Sequence, residues 1–208
     1  MQTIKPYENY DEALNALDNG GRFYNLFTKA DDGIITTAEI GKTAGVFSDK
    51  QQSILFLEAA LLKLNQNDKN KVLSKLEDKL KTVYRTFKPQ YLLPSEVSEK
   101  GKIASGLIAT GIPKLIDSKT DFNGFIIIPI MVGKVMTMTM IPIYETYDVY
   151  EFRDGKTSQS FIIAHSKSKN KLLENEITIA GIIKELKTSK EENCKTRKFL
   201  EITHIIAD

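Results

Sequence analysis

The sequence predicts an α+β fold in which a helical N-terminal part packs on a C-terminal six-stranded antiparallel β-sheet or small barrel. Three patterns predict it: apolar stripes of helical period before residue 95, a two-residue turn between β-branched runs near residue 133, and a series of short strands after it. The predicted organisation is a helical domain over residues 1–95, a connector over 96–121 and an antiparallel β domain over 122–208.

The helical part contains four predicted helices. The first runs from Tyr10 to Asp18 and ends at Asn19-Gly20-Gly21, since glycine is common just after a helix. The third follows Ser48-Asp49-Lys50-Gln51, which has the Ser-x-x-Gln form of a capping box. The apolar stripe of this third helix is Ile54, Leu57, Leu61 and Leu64. The second helix is predicted over Arg22–Lys29 and the fourth over Asp68–Phe87.

A β-hairpin is predicted around Gly133-Lys134, because glycine at the first centre of a two-residue loop suits a type II′ turn. With this loop Val132 pairs with Val135, and the pairs then alternate between hydrogen-bonded and non-hydrogen-bonded positions. Pro129 and Pro142 both fall at non-hydrogen-bonded positions, so neither removes a donor from the ladder inside the hairpin. The further predicted pairs are Ile130 with Thr137, Ile128 with Thr139 and Ile126 with Ile141.

Both faces of this hairpin are apolar, and one of them carries Met136, Met138, Met140 and Tyr144. A large exposed apolar patch would associate, so we expect both faces to be covered. One interpretation is a core layer between sheet and helices. The other is a ligand cavity or an adaptable interface, since methionine fills irregular space. The four residues are therefore candidate ligand-binding residues, and an apolar small molecule, a protein partner or a second copy of the chain is the candidate occupant.

After the hairpin the sequence predicts a series of strands, with short links and no helix between them. This pattern is typical of an antiparallel meander, either open or closed into a barrel. A further strand is expected within the connector, over Ile103–Ala109. The predicted strands after the hairpin are Tyr147–Phe152, Ser160–His165, Ile177–Leu186 and Phe199–Ala207, with a turn at Asp154-Gly155 and a charged loop at Thr188–Lys198.

Composition limits the function classes. The net charge of +2 gives no global reason to expect nucleic acid. The apolar runs are too short for a membrane-spanning helix, and the first residues lack a secretory signal, so a cytoplasmic location is expected. The single cysteine, Cys194, excludes an internal disulfide. No metal-ligand spacing and no phosphate-binding loop are visible, so no metal and no cofactor are expected.

The nearest approach to a known motif is LFTKADDGIITTAEI, residues 26–40. It resembles the calcium loop of an EF-hand, with Gly33 at the tight turn, Ile35 as the core-facing aliphatic and Glu39 at the closing position. Thr28 and Ala30 stand where that family has oxygen-rich side chains, which removes much of the charge that holds calcium. Thr36-Thr37-Ala38-Glu39 is itself a capping box, so we expect a helix–turn–helix that does not bind calcium.

The two histidines are the weak catalytic candidates. Alternation along the predicted strands places His165 with Phe161 and Ile163, and His204 with Leu200 and Ile202. Each imidazole thus points to the apolar side of its strand and needs a polar partner. A pair lining one cavity could serve acid–base chemistry, whereas two separate sheet histidines would titrate independently. We predict two independent histidines.

The sequence therefore favours a non-enzymatic binding or regulatory protein whose site lies beside the Met-rich hairpin. An enzyme that uses His165 or His204 in a cavity of the β domain is the first alternative. An interaction module that holds a protein partner through the apolar hairpin face, or through the basic outer face of the helix predicted over Asp68–Phe87, is the second. Whether the chain catalyses any reaction stays open at this stage.

Overall fold

The structure is a computed structural model and describes residues 2–21, 29–46, 48–116, 124–132, 135–155, 159–167, 170–187 and 196–207. The helices are α1 (Tyr10–Leu17), α2 (Thr37–Ala44), α3 (Lys50–Ala60), α4 (Gln66–Ser74), α5 (Asp78–Phe87), α6 (Pro94–Lys100) and α7 (Ile143–Thr146). The strands are β1 (Gln2–Ile4), β2 (Gln90–Tyr91), β3 (Gly106–Leu115), β4 (Phe125–Val132), β5 (Val135–Pro142), β6 (Tyr147–Arg153), β7 (Phe161–Ser166), β8 (Ile177–Lys187) and β9 (Thr196–Ile206).

The chain divides into two compact units. The helical unit comprises residues 2–90 together with the C-terminal residues from 204. The barrel unit comprises residues 91–203. The predicted α+β class, with the helices in the N-terminal part and a β-barrel in the C-terminal part, is confirmed.

The helical unit is built around α3. Nearly every residue from Ser53 to Leu61 is buried, so this helix is covered on all sides, as expected of a helix at the centre of a unit. β1 runs parallel to the end of β9, with Gln2 opposite His204 and Ile4 opposite Ile206. The Ala207 N–H donates to the Ile4 carbonyl at 2.8 Å and extends this pairing.

The predicted helix over Asp68–Phe87 is wrong as a single element, because it is two helices, α4 and α5. The break at Lys75–Glu77 lies against Ile35, whose N–H donates to the Lys75 carbonyl at 2.9 Å. The Glu77 N–H donates in turn to the Ile35 carbonyl at 2.9 Å. Apolar periodicity continues through the break, since Leu76 stays buried, and so gives no sign of the interruption.

The starts of α2 and α3 test the predicted caps. Thr36 and Glu39 form the predicted capping box, with Thr36 at the N-cap of α2. The prediction for α3 is one residue off, because Asp49, not Ser48, is the N-cap and accepts the Gln52 N–H at 3.0 Å. The helix predicted over Arg22–Lys29 lies almost entirely outside the described residues.

Five strands of the barrel unit close into a ring. Their order is β3-β6-β7-β9-β8, and a further pairing of β8 with β9 and the pairing of β3 with β8 complete the closure. The neighbours with described register run antiparallel, except β7 and β9, which are parallel. The barrel is therefore not a simple meander, since the last strand enters between the third and the fourth of the ring.

The four strands predicted after the hairpin all exist, with ends shifted by a few residues. The strand predicted over Ile103–Ala109 is β3, Gly106–Leu115, and it belongs to the barrel. The prediction ends early because the second half of β3 is not continuously apolar: Thr110, Ile112 and Lys114 are exposed and alternate with the buried Gly111 and Pro113. No helix in the described ranges is long and apolar enough to cross a membrane.

Barrel closure requires a close approach of β8 and β9 at Gly181. A Cβ atom added at this glycine would lie 2.2 Å from the carbonyl oxygen of Glu201 and 3.0 Å from Cγ of Leu200. Both distances are below ordinary van der Waals contact, and the first involves backbone, which cannot move without shifting the strand. Glycine is thus required at this position for steric reasons.

We predict that Gly181→Ala destabilises the protein by about 3 kcal/mol, because the added methyl group must push β8 away from β9. Urea unfolding followed by circular dichroism measures this change. Glu185→Ala, at an exposed position of the same strand, is the control and should stay within about 0.5 kcal/mol of the parent. A Gly181→Ala protein as stable as the control would mean that β8 and β9 are not in this close contact.

Candidate functional site

The candidate site is the hairpin of β4 and β5, here called the arm. Its register is the predicted one, from Val132 opposite Val135 to Ile126 opposite Ile141. Pro129 lies opposite Met138, so both prolines occupy the predicted pairs, and Pro142 ends the ladder opposite Phe125. The predicted register of β4 and β5 is therefore confirmed. This register determines which side chains share a face.

Three methionines of the arm face outward. Met136, Met138 and Met140 are 61%, 68% and 47% exposed, and they alternate along β5, so they lie on one face, here called the Met face. The interpretation of these residues as a core layer between sheet and helices is wrong. The sequence could not reveal this, because an apolar pattern on both faces is the same for a buried hairpin and for a projecting one.

Tyr144 is not in line with the methionines. β5 ends at Pro142, and Tyr144 lies in the short helix α7, where strand alternation no longer determines its direction. It is half-buried at the base of the arm. Its part in a ligand site therefore stays a prediction that rests on proximity in the chain.

The base of the arm is anchored to the barrel, whereas β5 forms the free edge of the sheet. Ile143 is fully buried in a cluster with Val149, Leu186 and Phe199, against which Ile126 of β4 also packs. The Ile143 N–H donates to the Gly124 carbonyl at 2.9 Å across the base. In the described residues β4 pairs with β8 only at Phe125 and Lys187, and β5 pairs only with β4. In the described residues the arm is therefore attached to the barrel at its base, and the rest of the hairpin projects from it.

The position of the arm within the barrel bears on function. A five-stranded barrel whose fifth strand pairs with the third and the fourth has the strand order of an OB-fold. In that order β3 and β6 are the first two strands, and the arm is an insertion in the loop between them. OB-folds use this loop, the loop between the last two strands and the face of strands two and three to bind ligands.

A polar cluster lies on β6, β8 and β9 of the same barrel. The Tyr147 hydroxyl donates to Oε1 of Glu201, and Nζ of Lys184 lies 2.5 Å from Oε2 of the same carboxylate. The pKa of the Tyr147 phenol is raised, mainly by burial and also by its hydrogen bond to Glu201. Both carboxylate oxygens are therefore engaged, so the cluster has a structural role. Sequence reasoning missed it, since three single residues on three strands make no local pattern.

His165 and His204 lie in different units. His165 is fully buried on β7, in the barrel unit, and Asp148 lies opposite it in the register of β6. His204 is 3% exposed on β9, in the helical unit, with its ring centroid 6.5 Å from that of Phe56. Both point to the apolar side of their strands, as predicted. Neither presents an imidazole at the surface, where a substrate could reach it without opening the unit.

The loop that resembles an EF-hand is organised by carboxylates that accept backbone hydrogen bonds. One oxygen of the buried Glu39 accepts the Gly20 N–H at 2.6 Å, and the other accepts the N–H and hydroxyl of Thr36 at 2.7 and 2.8 Å. Asp18, which is also buried, accepts the Gly33 N–H at 2.7 Å. These carboxylates hold the turn and the start of α2. Residues 26–28 of the motif lie outside the described residues.

Two further carboxylates of the helical unit have similar partners. Glu77 accepts the N–H and the hydroxyl of Thr37, both at 2.8 Å, across the break between α4 and α5. Glu58 is fully buried between Nζ of Lys69, at 2.6 Å, and the Tyr84 hydroxyl. Burial and the bond to Glu58 raise the pKa of the Tyr84 phenol. Over the described residues, no group of three or more His, Cys, Asp or Glu side chains is arranged to hold a metal ion.

Comparison with known proteins gives little. No protein-family model matches the chain, and no curated protein matches it. Among solved structures, a crystal structure of the N-terminal domain of an archaeal MCM is similar over 94% of this chain and 91% of that chain, with 10% sequence identity and a TM-score of 0.36. A likeness this weak carries no argument about fold or function.

We predict that the loop does not bind calcium. Glu39 would have to give up two backbone donors and a hydroxyl to serve as a ligand, and Ala30 offers no side-chain oxygen. Calorimetric titration of the protein at millimolar calcium should show no saturable heat. A dissociation constant in the micromolar range would show that the loop rearranges into a calcium site.

We predict that His204 makes stability fall with acid. Burial lowers the pKa of His204 to about 4, whereas in the unfolded chain it is about 6.5. Below the unfolded value the unfolded chain binds a proton that the folded protein does not, so stability decreases as the pH falls towards 4. The loss between pH 7 and pH 5 should be about 2 kcal/mol.

Urea unfolding at the two pH values measures this loss, and His204→Gln is the variant that tests its source. The variant should lose most of the acid sensitivity, although it is less stable than the parent at pH 7. An unchanged pH slope in His204→Gln would assign the acid sensitivity to other groups.

Proposed function

We propose that the chain is a cytoplasmic binding protein whose apolar ligand is held on the Met face. The observation that carries the proposal is the exposure of three successive outward residues, Met136, Met138 and Met140, on one strand. Single exposed apolar side chains are ordinary on protein surfaces, whereas a contiguous row of large ones is typical of a binding surface. The row lies on a two-stranded ribbon, which is marginally stable without something packed against it.

Methionine suits such a surface because its unbranched, polarizable side chain adapts to partners of different shape. The Met face offers no charge of its own, since Lys134 is the only charged residue between Phe125 and Tyr144 in the sequence and lies outside β5. A ligand held there is therefore recognised through apolar contact, and the matching partner is an apolar small molecule or an apolar patch on a protein. Tyr144, at the base, would add one hydroxyl that can orient a ligand with a polar end.

The place of the arm in the barrel supports the same proposal by analogy. The arm is inserted in a loop that barrels of this strand order use for ligands. The usual ligands of such barrels include oligonucleotides, and Lys184 and Arg197 are exposed on β8 and β9. An arm whose only charged residue is Lys134 is poorly suited to a phosphate backbone, which is bound mainly by lysine and arginine. Binding of single-stranded nucleic acid is therefore not part of the proposal, and the experiment below includes a test for it.

The enzyme hypothesis has less support. A catalytic histidine must come within hydrogen-bond reach of the proton that it transfers. His165 is fully buried and His204 nearly so, so a substrate could reach either imidazole only if the surrounding unit opened. The interaction-module hypothesis shares the Met face with the main proposal, and its other surface, the basic side chains of α4 and α5, is supported by their charge alone.

The test is the binding of Nile red, a neutral apolar dye, to the protein and to three variants. Met138→Asp should weaken dye binding about tenfold, because it places a carboxylate in the centre of the Met face. Its stability should change by no more than about 0.5 kcal/mol, since Met138 is 68% exposed. Met138→Leu should keep dye binding.

Thr137→Asp is the matched control, since it adds the same charge at the neighbouring exposed position, on the opposite face of β5. If Thr137→Asp and Met138→Asp lose dye binding equally, the dye does not bind specifically on the Met face. Binding of a labelled oligothymidylate that survives Met138→Asp and weakens with salt would point instead to a nucleic-acid site away from the Met face.

A further inference from the structure

The open edge of the arm belongs to β5. In a hairpin with a two-residue loop the residues beside the loop form a hydrogen-bonded pair and the pairs alternate, so Val135, Thr137 and Thr139 direct their N–H and C=O groups towards β4. Met136, Met138 and Met140 direct theirs away from β4. The described sheet ends at β5, so this side of the strand is a sheet edge. The three exposed methionines therefore also present the edge backbone groups.

An edge of this kind is a template for another strand, and proteins usually protect it with charge, proline or a bulge. Strand β5 carries no charged residue, and its only proline, Pro142, lies at its end. It pairs with β4 residue for residue over its eight positions, so no bulge interrupts it. The protection that normally prevents edge pairing is therefore absent along the described length of β5.

We propose that the occupant of this edge is a second copy of the chain, paired antiparallel through β5 about a two-fold axis at Met138. In this register Met138 lies opposite Met138 of the second copy and Met136 lies opposite Met140. By symmetry Met140 also lies opposite Met136 of the second copy, and all three pairs are hydrogen-bonded because they use the outward backbone groups of both strands. The inference rests on the proposed function, since the second copy continues the same Met face across a four-stranded sheet.

Charge favours a copy of the same chain over a charged partner strand. Residues near a two-fold axis meet their own symmetry mates, so any charge there would repel itself. Residues 135–142 contain no charge, and Lys134 of each copy would lie at opposite ends of the antiparallel pair. Pro142 lacks an N–H, which ends the pairing at the base of the arm and limits it to the three methionines.

The size of the contact determines its strength. One strand edge and three methionine side chains form a smaller interface than the roughly 800 Å² per partner of a standard stable complex. We therefore expect a dimer with a dissociation constant in the micromolar range, which forms and separates with concentration. Sedimentation velocity between about 1 and 100 µM should show the conversion of monomer into dimer.

The register is tested by disulfide cross-linking through the face opposite the methionines. The two-fold at Met138 puts Thr137 opposite Thr139 of the second copy at a non-hydrogen-bonded pair, with about 4.5 Å between Cα atoms. This separation permits a disulfide. In a Cys194→Ser background, a mixture of Thr137→Cys and Thr139→Cys proteins should form a covalent heterodimer on mild oxidation. Either variant alone should cross-link at least tenfold more slowly, since neither position faces itself.

A second variant removes the edge donor. Met138→Pro deletes an N–H that the hairpin ladder does not use, opposite a position that is already proline, and should weaken the dimer at least tenfold. Met138→Leu is the control and should dimerise like the parent. A protein that stays monomeric at 100 µM, or a Thr137→Cys protein that cross-links to itself as fast as the mixture, would overturn the proposal.

The two proposals can fail separately. Nile red binding by a protein that stays monomeric would refute the edge dimer alone and leave the Met face as a binding site. Cross-linking of the predicted pair without dye binding would support the dimer and refute the apolar-ligand function. The cross-link and the dye can be tested independently, because Thr137 and Thr139 lie on the face of β5 opposite the methionines.

Discussion

The contact between β8 and β9 at Gly181 is the constraint on which the barrel unit depends. Backbone packed this closely leaves no room for a side chain, and it brings the last strand into the ring beside both β7 and β8. With β9 in place, Phe199 enters the cluster that also contains Leu186 and Ile143. That cluster anchors the base of the arm. The projecting hairpin is therefore held by a core whose assembly depends on barrel closure.

The sequence predicted most of what local chemistry determines. Gly133-Lys134 gave the full register of the arm, and Thr36 with Glu39 gave the start of α2, because turns and caps depend on residues close in the chain. The break between α4 and α5 was missed, since its cause is Ile35, about forty residues away. Closure of the barrel was left undecided for the same reason: nothing near Gly181 in the chain reveals that the Glu201 carbonyl lies against it.

The candidate site shows a different limit. The apolar pattern of the arm correctly identified which methionines share a face, yet it predicted burial where Met138 is 68% exposed. Periodicity reports the two sides of a strand, whereas exposure depends on whether another layer covers each side. The buried carboxylates Asp18, Glu39 and Glu58 are the converse case. Only the capping box of Glu39 was predicted, because the backbone N–H groups, the lysine and the tyrosine that otherwise engage these carboxylates lie elsewhere in the helical unit.

The stability of the fold and the proposed binding depend on different residues of the arm. Ile126 and Ile143 pack into the cluster at its base, so they contribute to folding, whereas the methionines further along β5 contact solvent and contribute little to it. A surface of this kind can change its partner by substitution without loss of the fold, since few barrel contacts depend on it. The same separation explains why an uncharged edge can persist on a folded protein. A charge at Met136, Met138 or Met140 would therefore change the edge of β5 without disturbing the cluster at the base of the arm.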